Sequence, residues 1–88
     1  MKVEETLKQR NDVHGSFEDN ANIAQQLKSV LRYGTNFDRL SPVHAQALEA
    51  IMDKVSRILA GDPYFHDHWH DIQGYAKLAE NACHNKPL

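Results

Sequence analysis

The stretch LSPVHAQALEAIMDKVSRILAGDP, residues 40–63, decides the fold class of this chain. Its Ser41-Pro42 pair predicts a helix start, because serine caps free amides and proline at the first helical position leaves no amide unpaired. Gly61 and the following Asp-Pro predict the end of that helix. Between these limits, apolar residues recur at helical spacing over about five turns. They are Leu48, Ile51, Met52, Val55, Ile58 and Leu59.

Two more helices flank this one. Ser16 is a typical N-cap, and the helix after it should end near Tyr33-Gly34. Its apolar stripe comprises Phe17, Ala21, Ala24, Leu27 and Leu31. A third helix should run from about Asp67 to about Cys83, with a stripe formed by Trp69, Ile72, Ala76, Ala79 and Cys83. Residues 2–10 predict a short N-terminal helical segment. Because no stretch alternates with period two, we expect an all-α fold of three main helices plus that segment.

The composition is that of one soluble globular domain spanning residues 1–88, with 41% hydrophobic and 25% charged residues. A net charge of −2, with no basic block in either half, gives little support to nucleic-acid binding. No apolar run approaches the roughly 20 residues that span a bilayer. The N-terminus lacks the apolar core of a signal peptide, and a single cysteine excludes an internal disulfide framework. We therefore expect a cytoplasmic protein with no membrane partner.

A chain of 88 residues builds only a thin core. The middle helix is also apolar at Val43 and Ala47, beside Ile51, which suggests that it packs on two sides. We therefore predict a homo-oligomer, a dimer or larger, that associates through its second and third main helices.

The stretch DPYFHDHWHD, residues 62–71, holds three acids, three histidines and the only tryptophan at the start of a helix. His66 and His70 lie four residues apart and could bind one transition metal together with a neighbouring carboxylate. His68 belongs to the same cluster. The alternative is a set of surface histidines that bind metal only adventitiously.

Paired carboxylates predict a second kind of metal site. Glu49 and Asp53 lie four residues apart on the middle helix, and Asp67 and Asp71 on the last one, so each pair shares a helix face. Carboxylates from two neighbouring helices suit Mg²⁺, which keeps several waters for a phosphate ligand. At 100° per residue, however, Asp53 lies roughly 160° from the middle of its apolar stripe. A solvated charged face, with Asp53 beside Arg57, is therefore the alternative.

Four segments together carry a family resemblance: RNDVHGSF (10–17), KVSRI (54–58), GDP (61–63) and DHWHDIQGY (67–75). They resemble a family of short phage and prophage proteins with the elements R-x3-Y/H-G-x-F, K-x2-R and D-x-W-x-D-I-x-G-Y. The resemblance spans residues 8–80. More distantly, the helix plan is similar to that of the all-α nucleoside triphosphate pyrophosphohydrolases, the MazG and dimeric dUTPase group.

The resemblance implies a MazG-like helical bundle, completed by oligomerisation, that binds a nucleotide or another phosphate ligand. If it is an enzyme, magnesium-activated water would cleave the α–β bond of a nucleoside triphosphate. The metal would be held by Glu49, Asp53, Asp67 and Asp71. The predicted ligand-binding residues are Lys54, Arg57, Trp69 and Tyr75, the two aromatic residues having core or interface packing as their alternative. No catalytic residue is assigned. The competing hypothesis is a non-enzymatic oligomeric protein-interaction module.

Overall fold

The computed structural model describes residues 2–84, which form an all-α fold without strands in that range. The helices are α1 (Val3–His14), α2 (Phe17–Tyr33), α3 (Pro42–Ala60) and α4 (His66–His84), and a single 3₁₀ turn (Phe37–Arg39) lies between α2 and α3. The all-α prediction is confirmed. Over residues 2–84, no helix has both the length and the apolar character needed to cross a membrane.

The predicted start signals act as expected. The Ser16 side chain accepts a hydrogen bond from the Asp19 amide at 3.1 Å. The Ser41 side chain accepts one from the His44 amide at 3.2 Å, and proline occupies the first turn of α3. Each cap satisfies an amide that the helix itself cannot bond. The starts of α2 and α3 are therefore determined by local sequence.

Helix α3 is the central element, because it packs against α2 on one side and α4 on the other. Part of its broad apolar surface therefore packs within the chain, whereas Val43 at its N-terminal end is 50% exposed. His44, near the start of α3, contacts the C-terminal part of α4 through its side chain. Its Nε2 lies 2.9 Å from the Ala79 carbonyl oxygen and 3.2 Å from Cys83 Sγ, while Ser41 Oγ lies 2.7 Å from its Nδ1.

The inner face of α4 differs from the predicted one by about one residue. Trp69 and Cys83, expected on the buried stripe, are exposed, and Trp69 donates from its Nε1 to the Pro63 carbonyl oxygen at 2.9 Å. The buried position is taken by His68, which is 1% exposed. The predicted stripe was therefore right for Ile72 and Ala79, which are half-buried, and wrong for Trp69, Ala76 and Cys83, which are exposed.

Helix α1 is longer than predicted and reaches His14, yet none of its residues is fully buried. Its C-terminal end is its main attachment to the body. Gly15, at φ 82°, lies so close to Ala60 that a Cβ there would overlap its backbone, and a Cβ on Gly61 would overlap Val13. The Asp62 amide donates to the Val13 carbonyl oxygen at 2.9 Å. Backbone contact through two glycines thus holds α1 in place.

Candidate functional site

The two most buried side chains of residues 2–84 are polar, which is unusual for the interior of a small domain. Ser56 and His68 are 0% and 1% exposed, whereas the fully buried apolar residues are Ala24, Ala47 and Ala50. Burying a polar group is costly unless it is hydrogen-bonded. The buried polar groups are therefore a candidate functional site between α1, α2, α3 and α4. We call Ser56, His68 and their hydrogen-bonding partners Asn20 and His14 the polar centre.

Ser56 links two helices inside this polar centre. Its hydroxyl donates to the amide oxygen of Asn20 on α2 and also lies 2.7 Å from the Asp53 carbonyl oxygen. A hydroxyl has one proton, so the two oxygens share it. Asn20 itself is half-buried and lines a cleft between α1 and α2. Ser56 therefore fixes a polar side chain at the wall of that cleft.

A second buried contact joins α1 to α4. His14 Nδ1 lies 3.0 Å from His68 Nε2, and the ring of Phe65 packs edge-on against both imidazoles. Within residues 2–84, His68 Nδ1 is buried and has no hydrogen-bond partner. An orphaned buried N–H is rarer than an orphaned acceptor. We therefore assign the bridging proton to His68 Nε2, which leaves the Nε2–H of His14 as a free donor.

The electrostatic surroundings keep both imidazoles neutral. Burial is the largest cause that lowers the pKa of His14, followed by the positive charge of Arg57. Burial also lowers the pKa of His68 most strongly, followed by Lys54 and Arg57. The carboxylates of α4 act in the opposite direction on His68 but do not reverse the shift. The pair is therefore uncharged at neutral pH and surrounded by cations.

One of these cations is neutralised within the chain. Lys54 Nζ lies 2.9 Å from Asp71 Oδ2, which joins α3 to α4. The hydrogen bond from Lys54 is the largest cause that lowers the pKa of Asp71. By contrast, no carboxylate of the described chain lies within 4 Å of Arg57 or of Arg10 on α1. Two arginines near the histidine pair thus keep their charge unpaired.

The cleft between α1 and α2 has a volume of about 200 Å³. Its lining combines apolar, amide and basic side chains: Leu7, Arg10, Asn11, His14, Gly15, Phe17 and Asn20. It contains no carboxylate, so its charged group is a cation. Ligand pockets for drug-sized molecules are typically ~300–1,000 Å³. The cleft therefore matches a phosphate-sized group better than a whole nucleotide.

The structure does not bring the four predicted metal ligands together. Glu49 Oε1 lies 3.2 Å from Arg32 on α2, and Asp53 Oδ1 lies 2.9 Å from Lys28 on the same helix. Asp53 therefore pairs with a base of α2 rather than with Arg57, and its side chain is still 45% exposed, as on a charged face with helical ion pairs. Nowhere in residues 2–84 do three carboxylate, imidazole or thiol groups lie close enough to hold one ion.

The remaining predicted site residues are spread over four places. Lys54 and Arg57 lie at the histidine pair, as described above. Trp69 lies at the α3–α4 loop, and Tyr75 lines an apolar groove between α3 and α4. Asp67 is exposed, and its Oδ1 is 3.5 Å from His66 Nδ1.

The three alternating histidines also separate. The rings of His66 and His70 stack on the exposed side of α4 with centroids 5.8 Å apart. His68 points inward to His14 instead. A site formed by all three residues is therefore absent from the described chain, as helical geometry dictates for residues two positions apart.

Sequence reasoning missed three residues of the polar centre, namely His14, Asn20 and Ser56. Hydrophobic periodicity cannot find them, because it treats polar residues as outward-facing. The one sequence signal that pointed to this site was the segment RNDVHGSF of the family resemblance, which supplies most of the residues that line the cleft.

Comparison with known proteins gives a family but no activity. No curated protein and no solved structure matches this chain. A family model described as a domain of unknown function, DUF6378, matches residues 2–83. That match includes α1, α2 and α3 in full, α4 up to Cys83, and every residue of the polar centre. The chain therefore belongs to the DUF6378 family.

Proposed function

We propose that this chain binds a phosphate-bearing small molecule, with a nucleotide as the candidate class, in the cleft between α1 and α2. The observation that carries the proposal is the set of donors around that cleft. Arg10 and His14 both line it; Arg10 has no carboxylate within 4 Å in residues 2–84, and the tautomer assigned above gives His14 an N–H that is not used in the pair. Arg57 adds a second unpaired positive charge close to His14. Cations and neutral N–H donors are the groups that recognise phosphate oxygens.

The size of the cleft determines which part of a nucleotide it would hold. About 200 Å³ accommodates phosphate groups and leaves the nucleoside outside or against the exposed ring of Phe17. In this proposal the Arg10 guanidinium forms bidentate hydrogen bonds with phosphate oxygens, and the side-chain amides of Asn11 and Asn20 donate further hydrogen bonds to them. Discrimination between bases would then be weak, because the lining of the cleft bonds the phosphate.

Magnesium-dependent pyrophosphohydrolysis stays a prediction within this proposal. The ion pairs of Glu49, Asp53 and Asp71 mean that a metal at these residues would have to displace Arg32, Lys28 and Lys54. Of the four predicted ligands, Asp67 alone has no lysine or arginine within 4 Å in residues 2–84. Polyphosphate binding without metal is therefore the better supported function.

Calorimetric titration tests this proposal with inorganic triphosphate and with each nucleoside triphosphate, in the presence and absence of Mg²⁺. We expect triphosphate to bind without Mg²⁺ and Arg10→Gln to weaken that binding. Arg39→Gln is the matched control, because Arg39 is exposed and bonds only the neighbouring Asn36 side chain at 3.3 Å. Absence of binding by every phosphate compound, or equal effects of the two substitutions, would exclude the proposal. Pyrophosphate release from nucleoside triphosphates with Mg²⁺ tests the enzymatic prediction separately.

A second candidate function is a non-enzymatic oligomeric module that binds protein. The observation that favours it is exposed apolar surface on several helices, including Val30, Val43, Leu59 and Leu78. Such a module would bind no phosphate compound and would keep its oligomeric state when Arg10 is replaced.

A further inference from the structure

The chain exposes more surface than a compact monomer of its mass. Its accessible area is 6702 Å² at 10.1 kDa, whereas monomers of this mass expose about 5,300 Å². The excess is thus about 1,400 Å². The five residues outside the described part would expose at most about 850 Å² as unfolded chain, so they do not account for all of it. The described part of the chain has surface that a partner could cover.

The long, thin shape of the chain agrees with this excess. Its extents are 51 × 24 × 23 Å and its radius of gyration is 15.1 Å, whereas a compact chain of this length has about 12 Å. A standard dimer interface buries about 800 Å² on each partner. The surplus surface of the described part, between about 550 and about 1,400 Å², includes the area that one dimer interface removes from each partner.

A markedly apolar part of this surface lies between the N-terminal half of α3 and the C-terminal half of α4. A groove of about 370 Å³ there has an almost wholly apolar lining of Pro42, Val43, Gln46, Ala47, Tyr75 and Leu78. It continues along α4 into a hollow of about 460 Å³ bordered by His70, Asp71, Gly74 and Lys77. Tyr75 and Leu78 border both parts. We call this continuous surface the α3–α4 groove.

The groove has the raised and recessed parts that a self-association surface needs. Val43 and Leu78 project from it and are 50% and 60% exposed. Gly74 forms a recess, because nothing lies within 4 Å of the place where its Cβ would be. A mid-helix glycine costs about 1 kcal/mol relative to alanine, and within residues 2–84 no neighbouring helix uses the space it leaves.

We propose that a second copy of this chain docks on the α3–α4 groove through a two-fold interface. In such an interface the same patch serves on both copies, so the projections of one copy meet the recess of the other. The charged residues at the edge are of both signs. His70, Asp71 and Lys77 border the hollow, and Lys77 pairs with Glu80 at 2.8 Å. The groove therefore carries no block of one sign that would repel a second copy.

Sedimentation equilibrium of the wild-type chain at tens of micromolar tests the proposal, and a mass of twice 10.1 kDa is expected. Leu78→Glu and Val43→Glu should each produce a monomer with unchanged helical circular dichroism. Each two-fold interface contains two copies of the substitution, so the dimer dissociation constant should rise roughly 100-fold or more. Val30→Glu on α2 is the matched control, because Val30 is 70% exposed and lies outside the groove. It should leave the dimer intact.

A dilution series of the wild type, followed by amide resonances, gives a result even if the variants unfold. Gly74 and Leu78 should shift with concentration, and Val30 should not. A monomeric wild type would assign the groove to a different occupant and overturn the proposal. Dissociation by Val30→Glu but not by Leu78→Glu, or shifts confined to α2, would overturn it too. The phosphate-binding proposal is unaffected by these outcomes, because Arg10 lies outside the groove.

Discussion

Lowering the pH from about 7.5 to about 5 should destabilise this chain steeply, because the imidazole pair that joins α1 to α4 is neutral when folded. The pKa values of His14 and His68 lie below the ordinary value of 6.5, and burial is the largest cause for both. The nearby cations Arg10, Lys54 and Arg57 act in the same direction on His14. Two protonated rings 3.0 Å apart would also repel each other and lose their hydrogen bond.

The sign and size of the effect follow from proton linkage. In the unfolded chain both rings titrate near 6.5, so below that pH the unfolded state binds protons that the folded state does not. The stability that depends on the neutral pair is therefore complete above about pH 6.5 and is lost as the pH falls through the lower folded-state values. For each proton that only the unfolded state binds, the free energy of unfolding falls by up to about 1.4 kcal/mol per pH unit. For the two histidines together the slope is up to about 2.7 kcal/mol per pH unit.

Urea unfolding at a series of pH values, followed by circular dichroism, measures this slope. His14→Asn and His68→Gln together remove both titrating groups while placing an amide near each bonded nitrogen, and this double variant should lose most of the slope. The control is His66→Gln with His70→Gln, since those rings are exposed. A wild-type free energy that stays flat from about pH 7.5 to about 5 would refute the reasoning, as would a slope that survives in the inner double variant.

Three further predictions concern single residues. Ser56→Ala should reduce the free energy of unfolding by about 1–3 kcal/mol, because it leaves the half-buried amide oxygen of Asn20 without its donor, whereas Ser29→Ala on the exposed side of α2 should change it by less than about 0.5 kcal/mol. Gly61→Ala should detach α1 in hydrogen exchange, because the new Cβ would overlap its backbone, whereas Gly34→Ala meets only a carbonyl oxygen of its own helix at 3.3 Å and should not. Asp71→Asn should lower the melting temperature slightly, because it removes the ion-pair partner of Lys54. If Mg²⁺ raises the melting temperature of the wild type but not that of the variant, the metal role of Asp71 is favoured instead.

The helix starts could be predicted from sequence because their causes are local. Ser16 and Ser41 each bond an amide three residues ahead, so four or five consecutive residues contain the whole interaction. Gly61 ends α3 for a similar reason, and its predicted position was confirmed. The same glycine has a second role, against α1, that local sequence does not reveal.

The inner face of α4 could not be predicted, because tertiary partners outweigh hydrophobicity there. A periodicity argument assigns Trp69 to the core and His68 to solvent. In the structure the indole N–H needs an acceptor and finds it in the loop, while the imidazole finds a partner 54 residues away in sequence. A buried polar pair is stable only when both members are present. Neither residue alone contains that information.

The candidate metal site failed to assemble for a related reason. A helical wheel defines one inner face for each helix, but α3 packs against two neighbours and so has two. Glu49 and Asp53, which lie off the apolar stripe, therefore face α2, where Arg32 and Lys28 meet them. The acids of α4 lie on another side of α3. Carboxylates of two helices converge only if both pairs point into the same interface. Here Glu49 and Asp53 of α3 point towards α2, and Asp71 of α4 is paired with Lys54. This geometry leaves the unpaired charge near the histidine pair positive, and that charge is the reason we propose a phosphate ligand bound without metal.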